Sequence, residues 1–550
     1  MIVAVVPEPG GGGRLLPLTD DAEPAGSAAS ASELAGRLTE VERRDRPRWL
    51  WPATAELYPA LLAAGVRLDR CHDIALVESL LLNYEGRHGE PHGLPAAWAR
   101  ARGLPVPEDA APPRPDGQPV LFETEPDALP GGADPLDALV AVYRTQRERI
   151  AATKHPDRFR LLAAGESASA LAAAEMSHHG LPWRRDLHET LLTEVLGPRP
   201  AAGARPAKLA ELAERIAVAF DGRDINPDNP ASIVRAFGRI GVDVPSSRAW
   251  VLKGIDHPAV PYLLEYKELS RLHVANGWSW LDSWVHNGRF RAEYVVGGVV
   301  SGRWATRGGA ALQLPRILRA AVRADPEWTL VVADAAQLEP RVLAALSDDH
   351  RLAEVSTGVD LYARLAQDAF DGDRQRAKIA MLSAMYGGTS GEAGPLLATL
   401  RRRFPAAVGY VEDAARAGEQ GKLVRSRLGR TSPPWSAAIR ERAADERLSR
   451  AATRDWGRFT RNFVVQASAA DWTAVLLATL RGRLAERTPA AALVFFLHDE
   501  VIVHCPKDDA DTVVELVTEA AERASTLVFG QTPVRFPLQA KVVECYSDAK

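Results

Sequence analysis

The chain has 550 residues, 46% hydrophobic and 25% charged, with a formal net charge of −4. One hydrophobic core seldom exceeds ~100–200 residues, so several domains are expected. The charge excludes a molecule-wide polycation, and any nucleic-acid contact must come from local clustering.

Met1–Pro7 has no basic leader and reads as a short strand rather than a signal peptide. Residues 1–6 and Arg14–Leu18 form two short strands around a turn at Pro9–Gly13, and residues 21–34 form a loop. Leu57–Gly65 and Asp73–Leu82 have helical spacing, Pro105–Pro135 is a Pro- and acid-rich loop, and Leu136–Ile150 is a helix. A second unit begins near His155, with helices at Leu161–His178, Leu187–Leu196, Ala207–Phe220, Ala231–Ile240 and Val260–Ala275. Phe290–Val300 alternates like a strand. No apolar stretch approaches the ~20 residues of a membrane span. Cys71, Cys505 and Cys545 form no CxxC pair, which argues against a disulfide scaffold or zinc site and for a reducing cytoplasm. Residues 401–461 hold fifteen Lys or Arg against seven Asp or Glu, a local +8. That fits a phosphate-backbone surface or a solvated helix face balanced elsewhere.

Three constellations carry chemistry. In the first, the apolar run Thr329–Ala333 ends at Asp334, and a helix begins near Gln337 with Glu339 in its first turn. A carboxylate at a strand end suits a hard divalent cation, and on its own also fits a plain helix start. In the second, Arg374, Lys378, Leu382 and Tyr386 are four apart and share one helix face, with Gly387-Gly388 ending the helix. Two cations, an aliphatic side chain and a ring suit a nucleoside triphosphate, or the basic edge of an ordinary amphipathic helix. In the third, apolar runs flank His498-Asp499-Glu500, a hairpin with a three-residue tip. Adjacent acids without glycine break a local rule, as functional sites do, although a solvated turn has the same composition. Together these are the parts for two-metal phosphoryl transfer.

In order and spacing the three segments resemble motifs A, B and C of the DNA polymerase I family, family A. Ser301-Gly302-Arg303, Leu312-Gln313-Leu314-Pro315, Gly421–Val424, Arg427–Arg430 and Arg458–Gln466 extend the resemblance over roughly residues 155–550. It implies a right-hand α/β (α+β) polymerase fold: polymerase domain 151–550, with thumb 185–300, palm 301–350 and 451–550, and fingers 351–450. It implies template-directed DNA synthesis from dNTPs on primer–template DNA, in repair or gap filling, by a cytoplasmic, nucleoid-associated monomer with no membrane contact. Asp334 and Asp499 would bind two Mg²⁺ ions, or Mn²⁺, with Glu500 as accessory. Lys378 would contact the triphosphate and protonate pyrophosphate, Arg374 would bind the outer phosphates, and Tyr386 would stack at the insertion site. Gln337 and Glu339 would border the sugar, Glu339 crowding its 2′ position. Arg303, Gln313, Arg458, Asn462 and Gln466 would meet DNA, and His498 the primer terminus. Arg303, Asn462 and Gln466 suit the minor groove, whose purine N3 and pyrimidine O2 acceptors test pair geometry without reading sequence.

The chain departs from the family at Asp334-Ala335-Ala336, where an aromatic and a serine are usual, at Pro340, and at Leu382, where Phe or Tyr is usual. The last implies unusual dideoxynucleotide handling. Residues 1–150 resemble a truncated, ribonuclease H-like 3′–5′ exonuclease domain. Ile2–Leu18 reads as its second and third strands, so the first, acid-bearing strand is expected to be missing. Glu56 is the acid nearest a second ligand position, Asp137 matches the last acid, Ala133 replaces a Tyr, and Glu123/Glu125 fall in the Pro-rich loop. An inactive domain kept for structure or DNA contact is expected. The competing readings are a single-subunit RNA polymerase, a catalytically dead DNA-binding scaffold, a nuclease working through the N-terminal domain, and a polymerase with residual 3′–5′ exonuclease activity. Glu339 and the His-Asp-Glu turn favour DNA synthesis.

Overall fold

The computed structural model describes residues 1–110, 129–223, 225–308, 314–388, 391–445 and 449–549. Gln313 and Glu123/Glu125, singled out above, lie outside the described residues. The chain forms two compact units. One is Met1–His178 with Tyr294–Ala305 and Val331–Lys541; the other is His179–Glu293 with Thr306–Leu330 and Val542–Lys550.

In the first unit β1 (Ile2–Pro7), β2 (Gly13–Leu18), β3 (Ala29–Ala31), β4 (Arg48–Trp51) and β5 (Arg70–Asp73) make a sheet in the order β3-β2-β1-β4-β5. β1 runs antiparallel to β2 and parallel to β4, pairing Ile2 with Leu18 on one side and with Arg48 on the other. Ile2–Pro7 is therefore the central first strand. The expectation of a missing first strand is corrected: the strand is present and carries only apolar side chains, Ile2 to Val6 all buried. β3 falls inside the expected 21–34 loop, and the four-residue β4 and β5 have no alternation to mark them.

α1 (Leu34–Asp45) follows β3, and α2 (Ile74–Tyr84) follows β5, capped by Asp73, whose carboxylate accepts from Leu76 N. α3 (Pro135–Ala151) and α4 (Pro156–His179) complete this part. A boundary expected at residue 150 does not divide the contacts. The Tyr58 hydroxyl donates to Glu175 on α4 (2.7 Å), and Arg481 donates to the same carboxylate (2.7 and 2.8 Å) and to the Asp69 carbonyl (2.6 Å). These charge-assisted bonds tie residues 58–69 to Glu175 and Arg481, beyond the expected boundary.

A second sheet has β6 (Trp328–Ala335), β7 (Ala492–Leu497), β8 (Glu500–Pro506) and β9 (Leu538–Val543) in the order β7-β8-β6-β9. Around it run α5 (Leu338–Leu346), α6 (Leu361–Ala369), α7 (Arg374–Tyr386), α8 (Ser449–Arg487) and α9 (Ala510–Phe529). α8 has 39 residues, and Arg450–Arg487 is long and apolar enough to cross a membrane, contrary to expectation. Of its most apolar stretch 78% is buried inside the protein, the position of a core helix.

The second unit is helical, with Arg185–Leu196, Ala207–Ala219, Pro230–Arg239 and Ala259–Asn276. The strand expected over Phe290–Val300 is two short ones, Arg289–Phe290 and Glu293–Val295, ending before Gly297 at φ +62°.

Two buried imidazoles are built to stay neutral. His188 receives the Trp183 indole N–H at Nδ1 (3.3 Å) and faces the Asn276 carbonyl with Nε2 (2.9 Å), so a second ring proton would meet a donor. His72 faces Gln146 Oε1 at 2.9 Å. Burial, the main cause, lowers both to about 4 from 6.5. The unfolded chain then takes up protons near pH 6.5 that the folded protein refuses until about 4, so their stability contribution is complete above 6.5 and lost as pH falls. The expected loss is roughly 3 kcal/mol per histidine by pH 4. Denaturation midpoints across this window check it, and a flat profile contradicts it.

Candidate active site

Asp334 sits at the end of β6, whose body Leu330–Ala333 is fully buried. The strand end is stitched to its neighbours: Ala335 N–H donates to the Asp499 carbonyl (2.8 Å) and Ala336 N–H to the Pro537 carbonyl (3.1 Å). Gln337 then adopts a left-handed conformation (φ 49°, ψ 52°) and starts α5. Pro340 falls in the first turn, where its missing N–H costs no helical bond.

The β7–β8 hairpin is tighter than expected. Leu497 pairs with Glu500, leaving a two-residue tip of His498 and Asp499. Asp499 N–H bonds to the Leu497 carbonyl at 2.6 Å, and His498 takes φ +54°, a strained choice for a residue with a Cβ. Glu500 is therefore a strand residue and 1% exposed, not a tip residue beside Asp499. It stays close enough to raise Asp499 slightly.

The β6 end and the hairpin tip bring Asp334 and Asp499 together. Asp499 opens to solvent through the cleft, yet the surrounding protein partly desolvates it. Desolvation first, and then the Asp334 charge, push its carboxyl up to about 6. Two carboxylates that repel one another are a hard-oxygen donor pair that fits a divalent cation. Among the described residues no group of three or more His, Cys, Asp or Glu is arranged to hold a metal, so a cation held by this pair would need further oxygen ligands from backbone, water or substrate.

A cleft of ≈ 270 Å³ opens beside Asp499. Glu339 closes one side: it forms an ion pair with Arg303 and accepts the Tyr386 hydroxyl at 2.7 Å. Burial and that carboxylate push the Tyr386 phenol up to about 12. His498 and Gln337 also line the cleft, and burial, with the Arg303 charge second, lowers His498 to about 4. From α7, Leu382 and Tyr386 reach the cleft. Lys378 and Arg374 continue the same face one and two turns further out, Lys378 exposed. Asp373 caps the start of α7 and Gly387, at φ +76°, ends it. From α8, Arg458, Asn462 and Gln466 are four apart on the face whose next turns, Ala470 and Thr473, border the cleft. Arg461 Nη1 donates to the Ala384 carbonyl (2.9 Å), locking the end of α7 to α8.

Sequence reading singled out neither Tyr362 nor Arg341 for a role. Tyr362, in the first turn of α6, lines the cleft through a tertiary contact that no periodicity marks. Arg341 is 0% exposed and donates to the carbonyls of Ala336, Ser356, Gly358, Val359 and Arg535, at 2.7–2.9 Å. Burial lowers it to about 10, and it binds α5 to the chain entering α6.

In the N-terminal part the expected acids stay apart. Glu56 and Asp137 are exposed in the first turns of separate helices. Glu78 is buried in ion pairs with Arg100 and Arg149, both 2.8 Å.

Residues 208–546 match the family model for DNA polymerase family A. DNA polymerase I of Bacillus subtilis is 26% identical over 359 residues, 58% of this chain and 40% of the relative. The thermostable DNA polymerase I of Thermus thermophilus is 29% identical over 334 residues, 54% of this chain and 37% of the relative. The chain thus spans about two fifths of the length of these curated relatives. The fold resembles the POL domain of Pol1 from M. smegmatis, solved with DNA primer-template and dNTP. The TM-score is 0.73 and the identity 18%, covering 99% of this chain and 95% of that one. With more than half of its length matched by the family model, the chain belongs to DNA polymerase family A.

Proposed function

We propose that the chain adds dNTPs to a primer 3′-hydroxyl as directed by a DNA template. The observation that carries this reading is the pairing of Asp334 with Asp499 at a cleft whose opposite wall is α7. The relatives are DNA polymerases I, and the structural neighbour was solved with primer-template and dNTP.

Asp334 and Asp499 are the residues that would hold divalent cations, two Mg²⁺ or Mn²⁺ in the finer reading. Bound there, such ions supply Lewis acidity that activates the primer hydroxyl and neutralises the triphosphate. The chain's own groups position the reactants. Arg374 and Lys378 face the phosphates, and Lys378 gives a proton to the leaving pyrophosphate. Tyr386 and Leu382 take the base and sugar end. Glu339, pinned by Arg303 and Tyr386, fills the space a 2′-hydroxyl would need, and rejects it sterically. Arg458, Asn462 and Gln466 offer donors along one face of α8 to the duplex, and His498 meets the primer end. In the N-terminal part, β1 without acids supports a structural rather than nucleolytic role.

Primer extension on a defined template with Mg²⁺ tests the reading: template-dependent addition of dNTPs and rejection of rNTPs are expected. No extension with either Mg²⁺ or Mn²⁺ overturns it. Without dNTPs a 5′-labelled primer is expected to keep its length; metal-dependent 3′ shortening that survives Asp334→Ala with Asp499→Ala would contradict the inactive-exonuclease assignment.

A further inference from the structure

Arg374 does not hang free beside the cleft. Its Nε donates to Asp360 Oδ2 at 2.8 Å, and its guanidinium carbon lies 5.7 Å from the centre of the Tyr362 ring. The tether uses Nε alone, which leaves both Nη groups to point elsewhere. Asp360 is itself fixed. Its Oδ1 caps α6 by accepting Ala363 N–H at 3.1 Å. The carbonyls of Gly358 and Val359, just before it, are gripped by Arg341, and Leu361 N–H, just after it, donates to Gln337 Oε1 (3.2 Å).

We infer that Asp360 is a positioning residue that orients Arg374, over Tyr362, to receive the phosphates of an incoming nucleoside triphosphate. The inference rests on the proposed polymerase reading and extends it to a residue outside the three motifs. Fold stability does not explain the ion pair: its partners are 52% and 39% exposed, and exposed pairs contribute little. Its effect is to hold a long, rotamer-rich side chain in one pose before phosphate arrives, which removes an ordering cost from binding. The arrangement also ties the turn after Asp334 to the outer end of α7 through Gln337, Arg341 and Asp360.

Asp360→Asn separates the two tasks of this carboxylate. Asn caps a helix as well as Asp, so α6 is kept, while the charge that holds Arg374 is removed. Calorimetric titration with dATP and with inorganic tripolyphosphate, both with Mg²⁺, reads binding without turnover. Kd for both is expected to rise about 3–10-fold, with KM for dNTPs rising in parallel and kcat within about twofold. In an Arg374→Ala background Asp360→Asn is expected to add nothing, since the group it orients is gone. Unchanged or tighter binding by Asp360→Asn overturns the inference, as does an equal further penalty on Arg374→Ala. Failure of the unmodified protein to extend a primer would sink the polymerase reading, while the tripolyphosphate titrations would still decide the role of Asp360.

Discussion

Asp499→Ala and Asp334→Ala are each expected to lower primer extension by about 10³-fold or more, with primer–template binding retained. The magnitude follows from the site. Asp334 and Asp499 come together with Asp499 lining the cleft, and among the described residues no third acid completes a ligand group with them. Losing either halves the protein's share of the donors, and water cannot hold a cation in the same place. Glu500 is no substitute, being 1% exposed within β8. Neither change should harm the fold, because replacing Asp499 removes a carboxyl that desolvation first, and the Asp334 charge second, already lift to about 6. Single-turnover extension beside an electrophoretic binding assay checks the prediction. Extension within tenfold of the unmodified protein would place the chemistry elsewhere.

The largest stability effect is expected at Arg430, far from any motif acid in sequence. Its guanidinium is buried and bidentate to Glu166 (2.7 and 3.2 Å), while Nε donates to Asp471 (3.1 Å). Ser426 completes the group by donating to Asp471 at 2.6 Å. Burial pushes the Asp471 carboxyl up, and the Arg430 charge opposes that. Arg430→Met would strand two carboxylates in the interior, which typically costs roughly 3–5 kcal/mol. The loss would also loosen the loop before Arg303. A Cβ at Gly302 would lie 2.3 Å from Arg430 Nε, and one at Gly297 2.6 Å from Glu166 Oε1, so this loop rests directly on the buried pair. Denaturant unfolding measures the cost; a change under about 1 kcal/mol would show that the carboxylates find other partners or protonate at little expense.

What the sequence showed and what it hid follow from the range of the interactions. β6 was legible because an apolar run ends abruptly at Asp334, and α7 because Arg374 to Tyr386 repeat at helical spacing. The hairpin is visible, but composition predicts a three-residue tip and the structure makes two, because Glu500 is a buried acid in a strand. β4 and β5, Arg48–Trp51 and Arg70–Asp73, form through parallel pairing to distant partners, which leaves no local pattern. The central strand Ile2–Pro7 is hard to place from sequence because it carries no acid to mark it. Asp360 and Tyr362 escaped notice because their meaning lies in where Arg374 comes to rest.

α8 spans roughly 58 Å at the usual helical rise, in one unbroken rod. Arg458 to Gln466 lie toward one end, Asp471 near the middle, and Arg481 at the other, gripping Glu175 and the Asp69 carbonyl. A fragment trimmed of residues 1–150 is therefore expected to be less stable than the whole chain. Such a cut would remove Tyr58 and the Leu68 and Asp69 carbonyls from the Arg481 end of this helix, opposite the end that carries Arg458, Asn462 and Gln466. Through Tyr58 and the Asp69 carbonyl, the N-terminal part forms the mount in which the Arg481 end of that helix is seated.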